Sequence, residues 1–231
     1  MRLLYMMFIV LLLSHVVTAA STDWTDHKKV KLEEKAAKAA KQGKWSLAIK
    51  YGEKALTANE ALKSEAPEHY LNTLKNLNSY YEKANRLDEI EPRLEKAYTL
   101  SKQHLGVAHT TTYVSRNLLY KSLISKEAYE RAIPLLREAI TTLGTAPYAD
   151  IKRHHYLKQL YSLYGLTGAL ENEEKALIEF LALDKSLYGT NDADNIKIIQ
   201  NLANNYCLQN KIEAFNKITR THDLRFACPQ N

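Results

Sequence analysis

Glycine and proline are scarce in this chain, 7 and 5 in 231 residues. With 45% hydrophobic and 25% charged residues, that scarcity excludes a disordered polymer and fits an ordered, helix-rich soluble protein. Cysteine occurs only twice, and no Asn-X-Ser/Thr glycosylation acceptor occurs at all. Chemistry-bearing motifs are missing too: there is no His-Glu-x-x-His, no nucleophile elbow and no phosphate loop. The densest histidine group is Arg153-His154-His155, and neighbours on a helix point about 100° apart, so this pair cannot share a metal as an i, i+4 pair would. The carboxylates of "ENEEKA", residues 171 to 176, read as a charged turn rather than an acid–base pair. No catalysis, metal or cofactor is expected.

One long apolar run is present, Leu3 to Leu13, after Met1-Arg2 and before "SHVVTAAS". A single positive charge, an apolar stretch and small residues at Val17-Thr18-Ala19 describe a secretory signal, with cleavage after Ala19 and export of residues 20–231. The alternative is an uncleaved anchor, since Leu3 to Ala20 has roughly the 18 residues needed to span a bilayer. The absence of an acceptor site for glycosylation favours a bacterial periplasm over a eukaryotic secretory route.

The formal charge is +6, but it is unevenly placed. Without Arg2 the balance is 31 basic minus 26 acidic residues, or +5, and residues 27 to 44 alone hold seven Lys and two Glu, also +5. The remainder is neutral, which argues against a nucleic-acid partner. The lysine-rich segment is a solvated helix face or, in the sharper reading, an attachment surface for anionic headgroups or wall polymer through Lys28, Lys29, Lys31 and Lys35.

The dipeptide Asn-Leu recurs in amphipathic runs at Asn76, Asn117 and Asn201, with Gln159-Leu160 filling the remaining place. The spacings are 41, 42 and 42 positions, and a further 42 back from Asn76 lies Glu34. A period near 42 over five units is an architecture. Within each unit a first helix carries apolar residues at i, i+3, i+4 and i+7, as in Leu157, Leu160, Tyr161 and Tyr164. The second helices place small residues seven apart, Ala48 with Ala55 and Ala132 with Ala139, which lets helices approach closely. Glu173 and Phe180 in the fourth unit, and Phe215 in the fifth, stand where alanine is expected, and only a shifted turn would give Ala176 that role. Such stripes cannot be buried by one hairpin, so the hairpins must stack.

This pattern, with "AYTLSKQHLG" and "LDKSLYG" each followed by an amphipathic helix carrying Asn-Leu, resembles tetratricopeptide repeats of the kinesin-light-chain type. The resemblance covers roughly residues 27 to 226. It implies an all-α, right-handed TPR-like superhelical solenoid of about five helix-turn-helix repeats, near 28–66, 67–108, 109–149, 150–191 and 192–226, with 227–231 as a tail. It also implies a protein-binding scaffold whose first helices line a concave groove.

Counterpart residues then form ladders along the groove. One rung series is Lys75, Arg116, Lys158 and Gln200, and the next is Asn76, Asn117, Gln159 and Asn201. Cations beside carboxamides can hold an extended, acidic peptide by its backbone and charge. Tyr113, Tyr120, Ser79, Ser162 and Asn204 join the same faces as candidate contacts. The plainer reading is that the amides bridge helices and the cations are solvated.

Cys207 and Cys228 form an even pair in a chain read as exported, so a disulfide is permitted. Yet a straight second helix from Lys211 to Phe226 would carry Cys228 roughly 25 Å away at about 1.5 Å per residue. Two free thiols are therefore the expectation unless that helix ends early and "THDLRFAC" folds back.

Overall fold

The computed structural model describes residues 26–145, 148–190, 193–225 and 227–228; the segment read as a secretory signal lies outside them. Helices occur in pairs: α1 (Asp26–Lys41) with α2 (Trp45–Ala58), α4 (Pro67–Lys83) with α5 (Glu91–Leu105), α6 (Thr110–Ser125) with α7 (Tyr129–Thr141), α8 (Ala149–Leu166) with α9 (Leu170–Tyr188), and α10 (Ala193–Leu208) with α11 (Ile212–Thr221). A short α3 (Leu62–Glu65) lies between α2 and α4, and a 3₁₀ turn at Leu87–Ile90 between α4 and α5. Each helix packs chiefly on its neighbours in sequence, and α4 also meets α6, so the pairs stack as a solenoid.

The period has a backbone cause. The turn between first and second helix holds one residue at positive φ in every pair: Gly43 (68°), Asn85 (57°), Glu127 (57°), Gly168 (68°) and Asn210 (57°). Their spacings are 42, 42, 41 and 42. A left-handed residue there reverses the chain within three residues, so the second helix starts at a fixed angle. The loops that open two later pairs are also alike. The Thr112 hydroxyl donates to Gly106 O at 2.7 Å, and Asn195 Nδ2 donates to Gly189 O at 2.7 Å. In each case the start of a first helix reaches back six residues to the glycine, whose φ of 84° at Gly106 and 89° at Gly189 favours a residue without a Cβ.

The core follows the stripes. Leu74, Leu77, Leu94, Leu123, Leu157 and Leu177 are fully buried, and each contributes roughly 1.5–3 kcal/mol relative to exposure. Ala48, Ala55, Ala132 and Ala139 are buried where helices approach. In the fourth pair Ala176 is buried together with Phe180, and in the fifth Phe215 is buried, so the bulky rings fill positions that alanines hold elsewhere. Gly52 on α2 serves a close approach as well: a Cβ there would lie 2.8 Å from Leu77 Cδ1.

Charges join successive pairs. Arg93 Nη1 donates to Glu53 Oε1 at 2.6 Å, Arg131 Nη1 to Glu91 Oε1 at 2.9 Å, and Tyr98 OH to Glu138 Oε1 at 2.6 Å. These partners stand 40 positions apart, so each bond links one repeat to the next.

The second helix expected to run to Phe226 ends at Thr221. His222 and Asp223 follow, the latter at φ 47°, and the chain folds back over α10. Cys207 and Cys228 are thereby bonded, with their Cα atoms 5.6 Å apart. The expectation of two free thiols is corrected, and its cause was an overlong helix.

Candidate ligand-binding face

The first helices α4, α6 and α8 bring candidate side chains to two clefts. Between α6, the end of α7 and the start of α8 lies a cavity of about 300 Å³, lined by Tyr113, Arg116, Thr142, Tyr148 and Lys152 among others, with no carboxylate among the described residues of its wall. Arg116 and Lys152 both approach the Tyr113 ring, at 5.7 and 6.0 Å from its centroid, within cation–π range. The neighbouring Tyr156 hydroxyl lowers the Tyr113 pKa despite burial, helped by Asn117, Lys152 and Arg116. Burial, then the neighbouring Tyr113, pushes Tyr156 up to about 12.

Arg116 itself is not the free cation expected of a ladder rung. Its side chain is 3% exposed, and Nη1 donates to Glu138 Oε1 at 3.4 Å and to Thr142 Oγ1 at 3.3 Å, while Nε is buried without a partner. The guanidinium forms the floor of the cleft rather than its rim. Behind it, burial pushes the Glu138 carboxyl up, but the bonds from Lys102, Tyr98 and Arg116 outweigh this and hold it below the usual 4.5.

The other candidates divide. Lys75 is half-buried and donates to Asn72 Oδ1 at 3.2 Å, which also accepts from Thr111 Oγ1 at 2.7 Å. Ser79 and Ser162 turn back on their own helices, donating to Lys75 O and Lys158 O at 2.9 Å. Both hydroxyls are thus engaged within the helix, an ordinary local bond and no mark of a ligand. Asn117 is half-buried and helps to lower the Tyr113 pKa, and Gln159 Nε2 lies 2.7 Å from His155 Nε2. Asn76, Lys158, Asn201 and Asn204 are exposed. Tyr120 packs against the central core, and burial raises it to about 12. His154 is an interhelix group, with Nε2 2.6 Å from Asp184 Oδ1 and its ring 4.6 Å from Phe180.

On the lysine-rich helix, Lys28, Lys31 and Lys35 are exposed, and Lys35 Nζ stands 5.5 Å over the Tyr51 ring. Lys29 differs: its side chain is only 17% exposed and pairs with Asp26 at 3.4 Å. It is therefore withdrawn from the exposed set.

Sequence reasoning missed Lys152, Tyr148 and Tyr156. A signal existed for the last: Tyr70, Tyr113 and Tyr156 recur at 43 positions on successive first helices, a second ladder beside the amides. Lys152 has no such counterpart, since Thr110 and Glu68 precede it at the 42-residue period.

No protein-family model matches the chain, and no curated protein sequence matches it. Solved structures do. A putative kinesin light chain from Podosopora anserina with nearly identical TPR-like repeats matches with TM-score 0.57 at 16% identity, over 87% of this chain and 100% of that one. A single-substitution variant of that protein matches with TM-score 0.56 at 16% identity, over 85% and 94%. BtubC (BKLC) from P. vanneervenii matches with TM-score 0.52 at 18% identity, over 89% and 85%. The fold is thus the all-α repeat solenoid of these kinesin-light-chain-like TPR-repeat structures.

Proposed function

We propose that this protein is an exported, noncatalytic scaffold whose first helices hold an extended, acidic segment of another protein in a concave groove. The observation that carries this reading is the α6–α8 cleft, where Arg116, Lys152 and two tyrosines meet with no carboxylate among the described residues of the wall. An acidic side chain entering there meets the exposed Lys152 ammonium, with the Arg116 guanidinium in the floor adding positive potential. Export rests on the signal-like N-terminus, and the Cys207–Cys228 bond fits an oxidising compartment. A peptide-sized contact of this kind has an expected Kd of about 1 μM.

The test is fluorescence polarisation of a labelled Asp/Glu-rich twelve-residue peptide against residues 20–231. Lys152→Glu with Lys158→Glu should raise Kd by about tenfold or more with unchanged far-ultraviolet circular dichroism. Equal binding by the variant, or by a neutral peptide, would remove the cleft from the reading. N-terminal sequencing of the protein from its own cells should begin at Ala20; Met1 would contradict cleavage.

A second reading has its own observation. Lys28, Lys31, Lys35 and Lys38 are exposed at i, i+3, i+7 and i+10 on α1, a single face suited to an anionic surface. Replacing Lys28, Lys31 and Lys35 by Gln should abolish sedimentation with phosphatidylglycerol vesicles at physiological salt. Retained sedimentation would exclude this face.

A further inference from the structure

A second cleft lies between α1, α2 and α4. Its volume is also about 300 Å³, but its chemistry is the reverse of the first: Glu33 and Glu34 stand at it, and among the described residues no lysine or arginine lines it. The base is apolar and small, from Ala36, Ala37, Gly52, Ala55 and Leu77. Small residues on α1 and α2 leave this space, and a side chain at position 52 would run into Leu77.

The acidic wall is held in place. Glu33 Oε1 accepts from Asn59 Nδ2 at 2.6 Å and from the Thr73 hydroxyl at 2.8 Å, and lies 3.0 Å from His69 Nε2. All of these bonds fall on one oxygen. Tyr80, also in the wall, is raised by burial and then by the Glu33 charge, so that charge is felt inside the cleft. The repeat register adds an independent argument. Glu34 is the rung of the amide ladder 42 positions before Asn76, and both line this cleft. Where the later rungs carry carboxamides suited to a peptide backbone, the first carries a carboxylate suited to a cation.

We propose that this cleft is a subsite for a lysine or arginine side chain, its aliphatic stem along Ala37 and Tyr80 and its charged head at the Glu34 carboxylate, with Glu33 behind it. The inference rests on the reading that the first helices hold an extended segment. It gives that segment a polarity: a basic residue toward α1 and acidic residues toward α6 and α8. The two clefts of opposite sign thereby fix which way the chain of the partner runs.

The test is a lysine scan of the acidic twelve-residue peptide, placing one Lys at each position in turn, each with a norleucine counterpart of the same stem and no charge. At one position, or two adjacent ones, Lys should bind about tenfold more tightly than norleucine, and Glu34→Gln should erase that preference. Ala37→Leu, at an exposed position on α1, should block both side chains at that position while the parent peptide binds unchanged. If the parent binds but Lys and norleucine are equal everywhere, the subsite is wrong and the groove stands. If no peptide of the set binds, the groove reading itself falls, and the subsite with it.

Discussion

Arg116 on α6 and Glu138 on α7 meet at 3.4 Å inside the solenoid, the arginine side chain 3% exposed and the glutamate 17%. Glu138 also receives Tyr98 from the preceding repeat, so one carboxylate ties three helices. Removing the arginine leaves that carboxylate with less compensation in a partly dry site. Arg116→Ala should therefore lower the unfolding free energy by about 2 kcal/mol, less than for a wholly buried pair because Glu138 keeps some water. Urea denaturation followed by circular dichroism measures it. A loss below about 0.5 kcal/mol would place the pair among ordinary surface bridges.

Glu127 occupies the left-handed turn position that glycine holds at 43 and 168. Its φ of 57° costs a residue with a Cβ about 1 kcal/mol or more, while glycine adopts it freely. Glu127→Gly should raise the urea midpoint, and Gly43→Ala should lower it, each by a shift equivalent to about 1 kcal/mol. The same sign for both substitutions would show that the turn does not govern stability here.

Those turns show where the sequence was legible and where it was not. The 42-residue period and the apolar stripes were readable because stacking repeats the same burial in every unit, so Leu77, Leu118, Leu160 and Leu202 are all buried. Side-chain roles along the ladder were less readable. Lys75 and Lys158 keep the outward or half-exposed place their register implies, whereas Arg116, in the same register, is drawn inward by Glu138 and Thr142. Register decides which face a residue leaves from, and local partners decide where a long side chain ends. The α11 terminus was misjudged for a different reason: neither glycine nor proline marks Thr221, and the stop comes from His222 and Asp223 as the chain turns to the disulfide.

Acid should loosen the stack between repeats. Lys126, against the opposing effect of burial and with help from Arg131, holds Glu91 below 4.5. Burial pushes Glu138 and Glu174 up, but Lys102 in the first case and Lys211 in the second outweigh it. A carboxyl whose folded pKa lies below its unfolded value favours the folded state above the unfolded value of about 4.3, and the advantage disappears as pH falls through the lowered one. The urea midpoint should therefore hold from about pH 7 to 5 and drop between about pH 4.5 and 3. Glu138→Gln should begin lower at neutral pH and fall less steeply on acidification. A parallel fall in wild type and variant would show that Glu138 does not contribute to the acid response.

Reduction should act locally. The Cys207–Cys228 bond closes a segment 21 residues long that contains α11, and a loop of that size stabilises by about 3 kcal/mol on chain-entropy grounds. In a solenoid each pair contacts only its neighbours, so the loss need not spread through the stack. Cys207→Ser with Cys228→Ser should raise amide exchange across residues 193–221 and leave α1 to α7 as protected as in the oxidised protein. Hydrogen-exchange mass spectrometry distinguishes this from the alternative in which the last pair nucleates the whole stack and every helix loses protection together. If exchange is unchanged throughout, Phe215 and Thr219, both buried, hold α11 against α10 without help from the bond.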